Sequence, residues 1–209
     1  MQATIQVITR SGWHWVVALA LLLGLPMSEA LAVFTWGALG SPRSLTLQIG
    51  SNNSTVNKVT FDVFNDQVAP NASPITGVPD TVGTITPTIA NSVDIRIATV
   101  IRSADAAGVG LYLKADSSVG LTCVAGSGCG STVIPFNTIS WTAYAHDATY
   151  PTLDIQNGTF NGGSQTLINV IFSGQSISMA QSLVFAYANA TVYPAGQYTG
   201  QVVYTVTMP

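Results

Sequence analysis

The chain has 209 residues, and only 7% of them are charged: six Lys and Arg against nine Asp and Glu, a net charge of −3. An ordinary globular chain carries about 25% charged residues. So few, unclustered basic side chains argue against a nucleic-acid partner, which needs Lys and Arg to displace counterions, and against a polybasic membrane-binding face. The surface must instead be coated with neutral Thr, Ser, Asn, Gln and Gly, which repels like copies poorly and makes self-association physically easy.

Residues 1–32 have the three parts of a secretory signal. Arg10 is a weakly basic start, Trp15 to Leu25 (WVVALALLLGL) an apolar run, Pro26 a break, and Ala30 and Ala32 small residues suited to cleavage. The alternative, an uncleaved anchor, would need about 20 apolar residues to span a bilayer, and this run is shorter. Cleavage after Ala32 leaves residues 33–209, enough for a single domain that buries roughly 70% of its unfolded surface. The expected location is secreted, from periplasm to cell surface.

After the signal the apolar period is two almost everywhere, the mark of strands with one face on a core and one in water. Strands are expected at 45–49 (LTLQI), 58–64 (KVTFDVF), 93–101, 109–115, 139–145, 166–172, 182–188 and across the last dozen residues. In VDIRIATVI, Val93, Ile95, Ile97, Thr99 and Ile101 share one face, and Asp94, Arg96 and Ala98 the other, which is read as the watered side. Turn signals separate the runs, among them 68–80 (VAPNASPITGVPD), Asn157-Gly158, Asn161 to Gly163, and Pro194 before Gly196. Residues 68–90 read as a long loop that either covers a sheet edge or moves. No stretch after the signal has a helical period. The predicted fold is therefore all-β, an antiparallel immunoglobulin-like β-sandwich.

Cys123 and Cys129 are the only cysteines, in CVAGSGC. In an oxidising compartment they are expected to close a small Gly-rich ring. So short a ring contributes roughly 2 kcal/mol by loop entropy, enough to trim a loop rather than hold a domain together. The spacing fits neither a C-x-x-C redox motif nor a zinc ligand set.

In the last run Tyr198, Val202, Tyr204, Val206 and Met208 fall on one face and Thr199, Gln201, Val203, Thr205 and Thr207 on the other. Gly196 permits the turn that Pro194 begins. Tyr198 can bury its ring and aim its hydroxyl back at the turn, as in a tyrosine corner. This ending, YPAGQYTGQVVYTVTMP, resembles the last strand of exported pilin-like β-sandwiches, the chaperone-usher fimbrial subunits and the spore-coat-U-like group. The resemblance implies a structural subunit of a cell-surface fibre, handled by a periplasmic chaperone and usher, whose groove accepts a strand from a neighbour. A donor strand should then lie near the mature N-terminus, where SLTLQIG presents Leu45, Leu47 and Ile49 at period two. The same residues read more simply as the first strand of a complete sandwich. That second reading makes the protein a self-complete secreted adhesin, a carbohydrate- or surface-binding module. Fimbrial subunits usually carry a disulfide between separate strands, whereas here the pair is local.

No catalytic constellation is expected. His146 beside Asp147 could form an acyl-transfer triad with Ser117 or Ser140, but no G-x-S-x-G elbow is present. No glutamate remains after residue 32, so a glycosidase would have to pair two aspartates, and nothing in the sequence pairs any two. No calcium loop or phosphate-cradling pattern appears, so neither a metal nor a cofactor is expected. Exposed Tyr112 and Tyr144 could stack on sugars, yet read more simply as outward strand residues.

Overall fold

The computed structural model describes residues 44–50, 58–101, 108–145, 153–172 and 176–209. Residues 1–32, where a signal is expected, and the pair His146 and Asp147 lie outside them. In chain order the strands are β1 (Ser44–Ile49), β2 (Val59–Thr60), β3 (Ile75–Thr76), β4 (Val78–Pro79), β5 (Ser92–Val100), β6 (Val109–Asp116) and β7 (Leu121–Cys123). Then follow β8 (Val133–Ile134), β9 (Ile139–Tyr144), β10 (Gly158–Thr159), β11 (Ser164–Phe172), β12 (Ser176–Tyr187), β13 (Tyr198–Thr199) and β14 (Val203–Thr207). Among the described residues the helical elements are 3-10 turns at Asn65–Gln67 and Phe136–Thr138.

Every pairing is antiparallel. One sheet has the order β1-β5-β12-β9-β10, with β3 beside the end of β12 that β5 does not reach. The second layer has the order β11-β6-β14, and β13 lies on β7, which pairs β8 on its other side. The run from Tyr198 to Thr207 therefore follows β7 and β6 along their length, interrupted near residue 200. The all-β, sandwich-like expectation holds at this level.

The two sheets meet through alternate side chains. Val93, Ile95 and Ile97 of β5, Leu111 and Leu113 of β6, Ile139 and Trp141 of β9, Leu183 and Phe185 of β12, and Val206 of β14 form one buried cluster. Full burial of each large aliphatic side chain contributes about 1.5–3 kcal/mol, so this cluster is the main favourable term of the fold. Phe160 sits at its aromatic centre, with ring centroids 4.8 Å from Trp141, 5.7 Å from Phe136 and 6.0 Å from Phe185. The Trp141 indole N–H, which burial would otherwise orphan, donates to the Gln156 carbonyl at 2.8 Å.

Three expectations need correction. Asp94 does not face water: its side chain is wholly buried and Ser92 and Ser182 beside it are buried too. The reason is the segment after β4, which folds over the outer face of β5; Gly83 N–H donates to the Ser92 carbonyl at 2.9 Å, and a Cβ on Gly83 would collide with the Asp94 carboxylate. Of the 68–90 loop, β3 and Gly83 thus lie on strand edges of β12 and β5, as expected, while Thr84 reaches over the outer face to Asp94. The strand expected over 58–64 closes after Thr60, because the chain turns into the 3-10 segment at Asn65–Gln67. The strand expected from 182 begins at Ser176 instead, since Ser176 to Ala180 pair with β5 in continuous register despite a small, polar sequence. Lesser shifts occur elsewhere: β11 starts at Ser164 with an irregularity between Thr166 and Ile168, and β9 ends at Tyr144, one residue before Ala145.

Candidate functional site

The last strand has the faces its alternation requires. Val206 and Met208 are buried, Val202 and Tyr204 half-buried, and Val203, Thr205 and Thr207 exposed. Burial pushes the Tyr204 phenol well above its ordinary value. At the root of the strand the Tyr198 hydroxyl donates to the Pro194 carbonyl at 2.8 Å, closing the turn over four residues. Its ring packs against the main core.

That turn rests on the disulfide ring. Cys123 and Cys129 are bonded, and among the described residues no free cysteine remains. Val124 N–H donates to the Gln197 carbonyl at 2.8 Å, and Gln197 N–H donates to Ser127 Oγ at 3.0 Å. The same Ser127 hydroxyl donates to the Val124 carbonyl at 2.8 Å, so it joins both sides of the ring to the turn. Gly196 lies flat on the bridge: a Cβ there would stand 2.5 Å from Cys129 Sγ. The sulfur is reached by backbone alone, which is why a glycine occupies this position. The ring therefore acts on the root of the last strand as well as on its own loop, a role the local spacing could not disclose.

Leu45, Leu47 and Ile49 stand in β1, in unbroken register with β5 from Ser44 opposite Val100 to Ile49 opposite Ile95. All three are half-buried against the protein's own core. Among the described residues β1 pairs only with β5 and β14 only with β6, so each presents one unpaired edge. The two edges lie on one flank of the molecule, because Leu45 packs with Ile101, Val109 and Met208, the residue just beyond β14. The opposite flank is built differently. There β11 carries its register irregularity, a feature that blunts an edge against pairing.

The other candidates are not gathered by the fold. The Ser117 hydroxyl donates to the Gly163 carbonyl at 3.2 Å, whereas Ser140 lies on the opposite sheet, its hydroxyl directed at the Ala186 carbonyl. Among the described residues no three His, Cys, Asp or Glu side chains are close enough to hold a metal. A recess of about 290 Å³ is lined by Ile85, Thr86, Leu153, Asp154, Ser178 and Met179 among others. Tyr112 is half-buried and covers Gly110, and Tyr144 is exposed at the end of β9, so the two do not form one platform. No helix among the described residues is long and apolar enough to cross a membrane.

Alternation missed the Asp94 network. The Asp94 carboxylate accepts from Thr84 N–H at 2.7 Å and from the Ser182 hydroxyl at 3.0 Å, and pairs with the Arg96 guanidinium at 3.1 Å. It also missed Gln181, which stands on the core face of β12, wholly buried, and bonds both the N–H and the carbonyl of Ile155. A polar residue amid apolar neighbours on an inward face is the only sequence signal for such a role. No protein-family model matches this chain, nor does any curated protein or solved structure.

Proposed function

We propose that the protein is a non-enzymatic structural subunit, an immunoglobulin-like sandwich exported after loss of its signal, that assembles with copies of itself by β-strand pairing at the cell surface. The observation that carries this reading is the flank on which two strands that are outermost among the described ones, β1 and β14, stand on either side of one small apolar cluster. An open edge offers a row of backbone N–H and C=O groups, and alternate side chains of an incoming strand fill alternate pockets. Strand β1 suits exchange. Among the described strands β5 alone pairs with it, and Leu45, Leu47 and Ile49 make contacts that the same strand of another copy would reproduce on an identical β5. The free edge of β14 is where a periplasmic chaperone or usher would pair during assembly. The low charge of the surface leaves little repulsion to oppose the contact.

A second reading, a self-complete secreted adhesin or binding module, is favoured by one observation: β1 already sits on the core of its own chain. The experiment that separates them uses the exported chain on a denaturing gel run without boiling. Ladders of copies are expected, and Leu47→Asp, which places a carboxylate in the half-buried row, should abolish them while export continues. A monomer that unfolds reversibly, with no ladder, would establish the binding module instead.

A further inference from the structure

We infer that the Cys123–Cys129 disulfide is a thiol–disulfide exchange site whose reduction unlatches the root of the last strand. The inference needs no assembly partner and stands apart from the proposed function. Two observations carry it. Gln197 is bound to the seven-residue ring on both its polar backbone groups, its carbonyl by Val124 and its N–H by Ser127, and Gly196 touches the bridge itself. Beyond that ring, the root is held by the two residue pairs of β13 with β7, by the Thr122 hydroxyl donating to the Thr199 carbonyl at 3.3 Å, and by Tyr198, which closes back on Pro194 and packs its ring on the core. Residues 196 and 197 are thus seated on the closed ring, whereas Tyr198 and Thr199 are held by β7 and the core.

The two sulfurs are not equivalent. Cys129 is 3% exposed, under Gly196, whereas Cys123 is half-buried at the end of β7. A thiolate from an external thiol or dithiol therefore attacks Cys123 Sγ. A bond forms between that thiol and Cys123, the Cys123–Cys129 bond breaks, and its electron pair leaves on Cys129, which takes a proton from water. With a dithiol, the second thiol then attacks the mixed disulfide, freeing Cys123 and closing an oxidised reductant. Two electrons and two protons enter the protein. Once open, the ring no longer fixes Val124 and Ser127 at the spacing that grips Gln197, while β5 and β12 keep their own ladder and core.

Hydrogen exchange on the full chain, oxidised and after treatment with dithiothreitol, tests the latch. The amides of Val124 and Gln197 should exchange at least tenfold faster in the reduced protein, with those of Ile95 and Leu183 unchanged. Equal protection in both states would overturn the inference. So would a uniform acceleration that included β5 and β12, since the bridge would then hold the whole fold and not the strand root. Ser127→Ala in the oxidised protein gives an independent check, because it removes the hydroxyl but leaves the bridge; it should quicken Gln197 alone, and an unaltered Gln197 would remove the ring from the latch. Brief exposure to glutathione followed by peptide mapping reads the direction of attack. The adduct is expected on Cys123, and an adduct on Cys129 would refute the assignment.

Discussion

Asp94 shows how a single side chain can carry a burden its neighbours do not reveal. A carboxylate removed from water is costly unless it is paired and hydrogen-bonded, and here Thr84, Ser182 and Arg96 supply those partners. Asp94→Ala should therefore destabilise the protein by about 3 kcal/mol, because it leaves the Thr84 N–H of the covering segment and the Ser182 hydroxyl without their acceptor and removes the charge that pairs Arg96. The midpoint of urea unfolding measures this, and an unchanged midpoint would mean that the network is neutral. Tyr204 makes a pH prediction. Burial raises its phenol above the ordinary value of 10.0 in the folded protein, so below pH 10 neither state ionises and stability is intact. Above it the unfolded chain ionises first, and stability falls by about 1.4 kcal/mol per pH unit per such group. Tyr187 is shifted in the same direction by burial, so Tyr204→Phe should reduce the alkaline loss without removing it. Unfolding midpoints at pH 9, 10 and 11, roughly bracketing the tyrosine range, decide the matter.

At the scale of elements, strands whose two faces differ were legible and strands whose faces do not differ were not. β5, β6 and β9 were placed by alternation because each lays a run of Ile, Leu, Val or Trp on the core. The first half of β12 reads SISMAQ, with little contrast between faces, and becomes strand only because β5 lies alongside to pair it. Short strands such as β7 and β8 carry too few residues to show a period at all. The terminal strand was legible, and so was the Tyr198 turn, because Gly, Tyr and alternating Val and Thr mark it locally. What seats that turn was hidden, since the ring and Gly196 are almost seventy residues apart in sequence and touch only in the folded chain. Gly196→Val should push its side chain into Cys129 and displace the turn, costing about 1–3 kcal/mol, as overpacked sites do. Thermal unfolding of the variant in its oxidised form is the measurement, and an unchanged midpoint would show that the turn yields freely.

For the molecule as a whole, the contrast between its two flanks matters more than any pocket. One flank ends in β11, with its irregular register, and the other, among the described residues, in β1 and β14, in unbroken register around Leu45 and Met208. If that flank is the assembly surface, Leu45→Lys should lower self-association, because it places a solvated charge where apolar side chains meet. Sedimentation at rising protein concentration would read it, and unaltered association would move the contact elsewhere. Composition and period two were enough to determine an all-β chain, because such properties depend on each residue and its near neighbours. Which strands became edges, which outward carboxylate was covered, and what the disulfide ring grips were decided only by tertiary structure. Those outcomes depend on contacts between segments tens of residues apart, and no local pattern encodes which distant backbone will arrive to satisfy a buried N–H, carbonyl or charge.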